Sequence, residues 1–302
     1  MMKQACNRVF MVRPAAFGFN PETAETNAFQ QTEIVVDNLV ETALEEFDLL
    51  VYQLKQEGID VLVYQDTQLP EKPDAVFPNN WVGLHDQGIR VYYPMLAQNR
   101  RLERSPEVIS FLDTHLPANK IHDYSHFEQQ DLAMEGTGSL IFDHLNKRVF
   151  ASKSPRTQPE IMLQVSHDLG YEPILFDAFD ANGNEYYHTN VILSIGTKYA
   201  LVCAESIPEP EREKVLESLK FPDRTIIPIT RQQVNAFAGN VLEVSNTDDE
   251  TLIVISRTAI DSLHDEQIAV LQRSGLLLIA EIPVIEKVGG GSVRCMLAEI
   301  RE

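Results

Sequence analysis

The chain has 302 residues, of which 44% are hydrophobic, and this suffices for one large core or two ordinary ones. Its 45 acidic residues outnumber 25 basic ones, and no segment concentrates Lys and Arg, so nucleic acids and anionic membranes are poor partners. The net charge of -20 would tolerate a cationic substrate, but we interpret it chiefly as a solvated, self-repelling surface that favours solubility.

Apolar side chains recur at helical spacing in five blocks along the chain: residues 32–56, 101–114, 158–169, 208–219 and 259–273. Between them lie ten short β-type runs: residues 9–12, 61–64, 90–93, 139–142, 148–151, 191–194, 199–203, 241–244, 252–255 and 276–279. The helices recur every ~50 to 60 residues, a period compatible with ββαβ units arranged around an axis. No linker interrupts the pattern, so we predict an α/β protein with a single domain over residues 1–302.

No apolar run approaches the ~20 residues of a membrane helix, and the amino terminus lacks the pattern of a secretory signal. The three cysteines, Cys6, Cys203 and Cys295, are widely spaced, which favours reduced thiols over a disulfide framework or a zinc site. We therefore predict a cytoplasmic protein that holds no metal ion.

Cys295 follows the glycine-rich sequence GGGSVR near the end of the chain. Three consecutive glycines lose much conformational entropy on folding, so their presence indicates a backbone that approaches a ligand closely or adopts positive φ. A cysteine beside Arg294 in such a loop is a candidate nucleophile. For an isolated cysteine, a small buried residue at the start of a strand is the commoner explanation.

Three other segments place polar side chains near predicted strands. His188, in YHTN, directly precedes a strand, and an imidazole can act as acid and base near neutral pH. Glu135, in MEGTG, is followed by two glycines that leave space over its carboxylate. Phe77 and Asn80, in FPNN, precede the only tryptophan. Each also has an ordinary explanation, as a singly hydrogen-bonded histidine, a turn with a solvated glutamate and an asparagine-rich turn.

Together, the order FPNN, EGTG, HTN and a glycine-rich loop with cysteine resembles the guanidino-group-modifying superfamily over essentially the whole chain. This superfamily has the pentein fold and includes arginine deiminase, dimethylarginine dimethylaminohydrolase, arginine amidinotransferase and succinylarginine dihydrolase. The resemblance implies an α/β propeller of five ββαβ-type units with pseudo-fivefold symmetry. The sequence GGGSVRCM is particularly similar to the carboxy terminus of the deiminases.

The resemblance also implies roles for three residues. Cys295 corresponds to the nucleophile, His188 to the general acid and base, and Glu135 to the carboxylate that binds substrate nitrogen and orients the site. The thiolate attacks the trigonal carbon of a guanidino or ureido group, and His188 protonates the departing nitrogen. Water deprotonated by His188 then releases the covalent intermediate. The resemblance implies no metal and no organic cofactor.

The sequence departs from the deiminase pattern at two substrate-binding positions. Deiminases and amidinotransferases carry aspartates where this chain has Asn80 and Asn190. A guanidinium offers only donors and suits carboxylates, whereas a ureido group also presents a carbonyl that requires a donor, which an amide supplies. We expect Phe77, Asn80 and Asn190 to contact a neutral ureido substrate. The sequence is also similar to citrulline-utilisation hydrolases, and citrulline hydrolysis to ornithine, carbon dioxide and ammonia is the leading hypothesis.

Several alternatives stay open. Hydrolysis of arginine or dimethylarginine is the first, with Asp131 as an additional anion if it is not simply a solvated residue. An amidinotransferase is a second, although the sequence shows no acceptor site for the amine. A non-catalytic pentein that binds a macromolecule is a third, against which the retention of Glu135, His188 and Cys295 argues.

The remaining predictions concern the far end of the substrate. A planar arginine fork suits the α-carboxylate of an amino acid, and of the available arginines we favour Arg13 and Arg231. Asn240 is predicted at the mouth of the site, although its Gly-Asn sequence is also typical of a turn. We expect a small amino-acid substrate as the partner and leave a homodimer open.

Overall fold

Strands and helices alternate along the residues that this computed structural model describes, 3–31 and 36–301. The strands are β1 (Arg8–Arg13), β2 (Asp60–Gln65), β3 (Val82–His85), β4 (Ile89–Tyr92), β5 (Lys120–Asp123), β6 (Ile141–Asp143), β7 (Arg148–Ser152), β8 (Glu172–Phe176), β9 (Leu193–Ile195), β10 (Tyr199–Val202), β11 (Thr225–Pro228), β12 (Leu242–Ser245), β13 (Thr251–Ser256), β14 (Leu276–Ala280) and β15 (Ala298–Ile300). The helices are α1 (Pro21–Ala24), α2 (Leu39–Gln56), α3 (Gln98–Arg101), α4 (Pro106–His115), α5 (Gly136–Ser139), α6 (Pro159–Leu169), α7 (Glu209–Ser218), α8 (Arg231–Val234), α9 (Arg257–Ser262), α10 (Asp265–Ser274), α11 (Pro283–Gly289) and α12 (Val293–Met296).

One pairing pattern recurs along the chain, in which two antiparallel strands are followed by a third strand parallel to the second. It describes the sets β15-β1-β2, β3-β4-β5, β6-β7-β8, β9-β10-β11 and β12-β13-β14. The first two sets share a six-stranded sheet, and the other three form separate sheets. The predicted α/β class is therefore confirmed. A closed five-unit propeller is not shown directly, because the sheets do not join into one.

Within each set, the parallel pair is connected by a helical crossover, since parallel neighbours cannot be joined by a tight turn. The apolar face of α2, with Phe47, Leu50 and Leu54 almost completely buried, contributes to the core shared by β1, β14 and α11. Burying each of these side chains stabilises the fold by about 1.5–3 kcal/mol. The helices thus cover the sheets, as the amphipathic pattern predicts.

Two predicted helices are divided in the structure. The block at residues 101–114 contains the end of α3 and most of α4, because the N-cap Ser105 is extended and its side chain accepts a hydrogen bond from the backbone N–H of Val108. The block at 259–273 is divided between α9 and α10 by His264, an extended N-cap with a capping box. The predicted helix at 32–56 is α2 from Leu39 onward, and residues 32–35 of it lie outside the described residues.

The site residues come from one recurring place in the fold, the turn before the first strand of a set. A 3-10 turn at Pro78–Asn80 precedes β3, α5 precedes β6, a 3-10 turn at Thr189–Val191 precedes β9, and α12 precedes β15. The predicted strands at 139–142 and 191–194 therefore begin too early, because their first residues form these turns. Short-range helical turns of this kind have no apolar periodicity that a sequence could show.

Candidate active site

A small cavity lies where these turns meet. Its walls include Cys295 from α12, His188 before the Thr189–Val191 turn, and Phe77 and Asn80 around the Pro78–Asn80 turn. The structure therefore brings together four residues that the sequence analysis selected from distant segments. The short helical turns fix the positions of these four residues, because each turn leads directly into a buried strand.

The glycine-rich loop forms one wall of the cavity. A methyl group on Gly289 would lie 2.8 Å from the Phe77 ring, and one on Gly291 would lie 3.0 Å from it, so the loop can pack against Phe77 only without side chains. Gly290 has a φ of 65°, in the region that favours glycine. Its carbonyl accepts a 2.7 Å hydrogen bond from the Tyr187 hydroxyl. The loop is thus held between the ring of Phe77 and the hydroxyl of Tyr187, the residue before His188.

Glu135 and His188 form a buried pair in which His188 lines the cavity and Glu135 lies behind it, with 2.9 Å between Oε2 and Nε2. Burial alone would raise the pKa of Glu135, but Arg156 and the hydrogen bond from His188 outweigh it and hold the pKa well below its usual range. Burial lowers the pKa of His188 to about 4, against the opposing effect of Glu135. At neutral pH the carboxylate is therefore ionised and the ring neutral. Because a carboxylate only accepts, Nε2 carries the proton and Nδ1 carries the lone pair of a base.

The sulfur of Cys295 is contacted by two asparagine side chains. The Nδ2 groups of Asn190 and Asn240 each lie 3.3 Å from Sγ, and both residues are fully buried. Neither asparagine is among the residues that line the cavity, although both contact the sulfur of Cys295, which does line it. Asn240 therefore differs from its predicted place at the mouth of the site.

The amide of Asn80 is held in one orientation by Arg100. The guanidinium donates from Nη1 to Asn80 Oδ1 at 2.8 Å, and it also binds both carboxylate oxygens of Glu103, at 2.7 and 3.0 Å. Asn80 Nδ2 is buried and has no hydrogen-bond partner. A methyl group on Gly138 would lie 2.5 Å from this nitrogen and 2.7 Å from His188 Nδ1, so the missing side chain leaves both groups facing common space. Asn80 thus offers a donor to the site.

Three charged residues of the cavity wall were missed by the sequence analysis: Asp74, Arg100 and Arg156. Asp74 Oδ2 accepts hydrogen bonds from Asn20 at 2.7 Å and Thr23 at 3.1 Å, whereas its Oδ1 is buried without a partner. Burial raises the pKa of Asp74, against the opposing effect of Arg100. Asp74 lies three residues before Phe77, and this proximity was the one feature of the sequence that could have indicated its place in the site.

Comparison with known proteins decides the family. Residues 13–302 match the model of the family described as N,N dimethylarginine dimethylhydrolase, eukaryotic. The chain belongs to this family. Membership makes it a hydrolase of the type that acts on guanidino groups, within the pentein superfamily that the sequence predicted. None of the curated protein sequences is similar enough to count as a match.

Solved structures share the fold of this dimethylarginine dimethylhydrolase family member. The substrate-bound N-terminal domain of ArgZ, an arginine dihydrolase of cyanobacteria, matches with a TM-score of 0.72 and 17% identity over 98% of both chains. A complex of AgrE with L-arginine matches with a TM-score of 0.76 and 17% identity, over 98% of this chain and 40% of that one. A dimethylarginine dimethylaminohydrolase adduct with S-methyl-L-thiocitrulline matches with a TM-score of 0.64 and 15% identity, over 98% of this chain and 99% of that one.

The two arginines predicted to bind the α-carboxylate do not line the cavity of this dimethylarginine dimethylhydrolase family member. Arg13, at the end of β1, forms two 2.7 Å hydrogen bonds to Asp48 on α2, and Arg231, at the start of α8, donates to the carbonyls of Phe179 and Glu205. The structure therefore places both guanidiniums in surface contacts outside the cavity, and not at the predicted position beside the site. Arg156 lies in the cavity wall instead, with Nη1 3.4 Å from Glu135 Oε2.

Other sequence candidates lie outside the site. Asp131, the proposed additional anion, is exposed and 3.8 Å from Arg101. Burial raises the pKa of Cys6 to about 12 and also raises the pKa of Cys203, so both thiols are poor nucleophiles. Among the described residues, no group of three or more His, Cys, Asp or Glu side chains is placed to hold a metal ion. In the same part of the chain, none of the helices combines the length and apolarity that crossing a membrane requires.

Proposed function

We propose that the protein hydrolyses the ureido group of citrulline to ornithine, carbon dioxide and ammonia. The observation that carries this proposal is the unpartnered Nδ2 of Asn80, whose orientation is fixed because Arg100 occupies Oδ1. A ureido carbonyl accepts a hydrogen bond from this donor, whereas a guanidinium has no acceptor to offer it. Leaving a buried donor unpaired costs about 1–3 kcal/mol, so the site favours the ureido group.

The amino-acid end of the substrate has complementary charges in the same cavity. Arg156 binds the α-carboxylate through Nη1 in our proposal, since this nitrogen makes only a long hydrogen bond to Glu135, whereas Nε and Nη2 are held by Thr26 and the carbonyl of Thr23. The unpartnered Oδ1 of Asp74 accepts the α-ammonium group. These roles replace the ones predicted for Arg13 and Arg231.

The proposed reaction proceeds through a covalent intermediate on Cys295. The thiol proton passes to His188, and the sulfur attacks the ureido carbon. The bond to the terminal nitrogen breaks, and His188 returns its proton so that ammonia leaves. Water then attacks the thiocarbamate, giving one proton to His188, which passes it to the departing sulfur. The released ornithine carbamate loses carbon dioxide, so citrulline and water give ornithine, carbon dioxide and ammonia.

The five repeats of the strand pattern support a further proposal on architecture. We propose that they surround a common axis as a pentein propeller, with the cavity at one end of it. In support, β6 and β9 contact each other, as do β9 and β12, and β15 pairs with β3. The turns before the first strands then converge at one end of this axis.

Hydrolysis of an arginine substrate is the second candidate. The similarity to ArgZ and AgrE favours it, since ArgZ is an arginine dihydrolase and AgrE is described in complex with L-arginine. The free carboxylate oxygen of Asp74 could also accept guanidinium donors. In that case Asn80 Nδ2 would remain unpaired until a ureido intermediate formed.

A substrate panel tests the proposal. Purified protein is incubated with citrulline, arginine and dimethylarginine, and ammonia, methylamines and ornithine are measured. We expect ornithine and ammonia from citrulline, and an about 10- to 100-fold lower kcat/KM for arginine. Efficient conversion of arginine with citrulline left intact would refute the proposal.

Cys295→Ala tests the covalent mechanism, with Cys203→Ala as the matched control. The first substitution removes the sulfur that attacks the substrate, so ammonia release should stop, whereas the control removes a buried thiol outside the cavity and should retain turnover. Mass spectrometry of the wild-type protein during turnover should detect a carbamoyl-type adduct on Cys295. Ammonia release that persists in Cys295→Ala would contradict this mechanism.

A further inference from the structure

Two neutral amide donors converge on the sulfur of Cys295. Asn190 Nδ2 and Asn240 Nδ2 each lie 3.3 Å from Sγ, and they come from turns that precede different strands, β9 and β12. In the part of the chain that the structure describes, no other side chain forms a hydrogen bond with this sulfur. Two donors on one sulfur suit a thiolate, because a thiolate only accepts hydrogen bonds. A neutral thiol would also need an acceptor for its own proton.

The orientation of the Asn240 amide is determined by its surroundings. Its Oδ1 accepts a 3.0 Å hydrogen bond from the backbone N–H of Arg294, and its Nδ2 also donates to the carbonyl of Asn190 at 3.2 Å. Turning the amide over would lose both bonds, so the nitrogen must face the sulfur. A thiol proton would have to reach Asn240 Oδ1 across 3.7 Å, a poorer hydrogen bond than either donor makes.

The charged groups around the cavity do not replace these donors. His188 is neutral at physiological pH, because burial lowers its pKa to about 4. The guanidinium of Arg294 points away, to Leu297 O at 2.9 Å and Glu299 at 2.8 Å. The other charged or titratable groups of the site are Asp74, Arg100, Arg156, Tyr187 and Glu135, of which the two arginines bind Glu103 and Glu135. No full positive charge therefore hydrogen-bonds the sulfur within the described residues.

We propose that Asn190 and Asn240 form a thiolate-binding amide pair that stabilises the nucleophilic anion of Cys295. The S–H bond breaks with its electron pair left on sulfur, and the proton passes to bulk water in the free enzyme and to His188 in the substrate complex. This inference rests on the proposed function in one respect. A neutral ureido group brings no positive charge to the sulfur, so the protein must supply the stabilisation itself, whereas a guanidinium would bring its own.

The amide pair predicts how the alkylation of Cys295 depends on pH. The variants Asn190→Leu and Asn240→Leu each remove one donor without adding charge, and Asn190→Ser retains a smaller hydroxyl donor. We expect the pH midpoint of iodoacetamide alkylation to rise by about one pH unit in each leucine variant and by less in the serine variant. Asn79→Leu is the matched control, because Asn79 is equally buried in a neighbouring turn but donates to Thr137.

Two outcomes would overturn the proposal. One is an unchanged midpoint in folded Asn190→Leu or Asn240→Leu, and the other is an equal shift in Asn79→Leu. If the leucine variants do not fold, the ultraviolet absorbance of the thiolate in wild-type protein minus Cys295→Ser is titrated instead. The same titration is run on Asn190→Ser: a higher midpoint than in wild-type protein supports the amide pair, and equal midpoints refute it. Neither measurement uses a substrate, so its result is independent of whether citrulline is hydrolysed.

Discussion

At the scale of single residues, the site depends on which way its amides point. Arg100 forces Asn80 to present a donor, and the backbone of Arg294 forces Asn240 to do the same. A carboxylate in either place would present acceptors alone. In our proposal, this difference between asparagine and aspartate separates a site for a ureido group from one for a guanidinium.

Asn80→Asp should move the substrate preference from citrulline toward arginine. The change removes the donor for the ureido carbonyl and adds an anion that suits a guanidinium. We expect kcat/KM for citrulline to fall by about 10- to 100-fold relative to kcat/KM for arginine. Asn99→Asp is the control, since Asn99 binds Asn20 outside the cavity wall and should leave the ratio unchanged. An unaltered ratio in Asn80→Asp would contradict this assignment.

The sequence predicted some of these residues and not others for a physical reason. Cys295, His188 and Glu135 stand in short motifs whose glycines and neighbouring strands mark the local geometry. Asp74, Arg100 and Arg156 lie in segments with no such mark, and only the folded chain brings them to the cavity. The sequence could not show that Arg156, and not Arg13 or Arg231, lines the cavity, because the residues around an arginine do not indicate which group it contacts.

At the scale of elements, short turns before the first strands hold the site together. Gly136, at the start of α5, has a φ of 45°, and a methyl group on it would lie 2.1 Å from the carbonyl oxygen of Asn79. The turn that carries Glu135 therefore packs directly against the turn that carries Asn80. The long helices and ten of the strands were predictable from their pattern, whereas β3, β5, β8, β11 and β15 were missed. Of these, β5, β8 and β11 are partly exposed strands at the edges of their sheets.

Gly136→Ala should damage both activity and stability, while Gly170→Ala should affect stability only slightly. Both glycines have positive φ, but a methyl group on Gly170 would meet no atom within 4 Å. We expect about 1 kcal/mol of destabilisation at Gly170 and several kcal/mol at Gly136, where backbone must move. Denaturant unfolding and citrulline turnover would show this. Equal losses in the two variants would mean that the contact between the turns is not important.

At the scale of the whole molecule, buried polar links connect neighbouring repeats. Gln4 donates to the carbonyls of Phe142 at 2.9 Å and Ile195 at 3.1 Å, so one side chain binds the first strands of two repeats, β6 and β9. Arg224, before β11, forms a fully buried ion pair with Asp143 on β6. The net charge of -20 therefore resides mainly on the surface, because these buried links add no net charge: Gln4 is neutral and Arg224 pairs with Asp143.

Arg224→Met should be far more destabilising than Arg257→Met. The first change leaves Asp143 buried without its cation, which costs about 3–5 kcal/mol. Arg257 pairs with Glu281 and Asp261 at the surface, where an ion pair contributes less than about 1 kcal/mol. Urea unfolding of the two variants gives the comparison directly. Similar free energies of unfolding would show that the link between the two repeats contributes little.

The position of β15 has a consequence for how activity arises during folding. This strand carries Cys295 just before it and inserts between β1, from the start of the chain, and β3. Pairings of such large sequence separation form late and slowly, because the intervening chain must first be ordered. A partly folded molecule therefore has no assembled nucleophile. In our proposal, Cys295 reaches the cavity only once β15 has paired with β1 and β3.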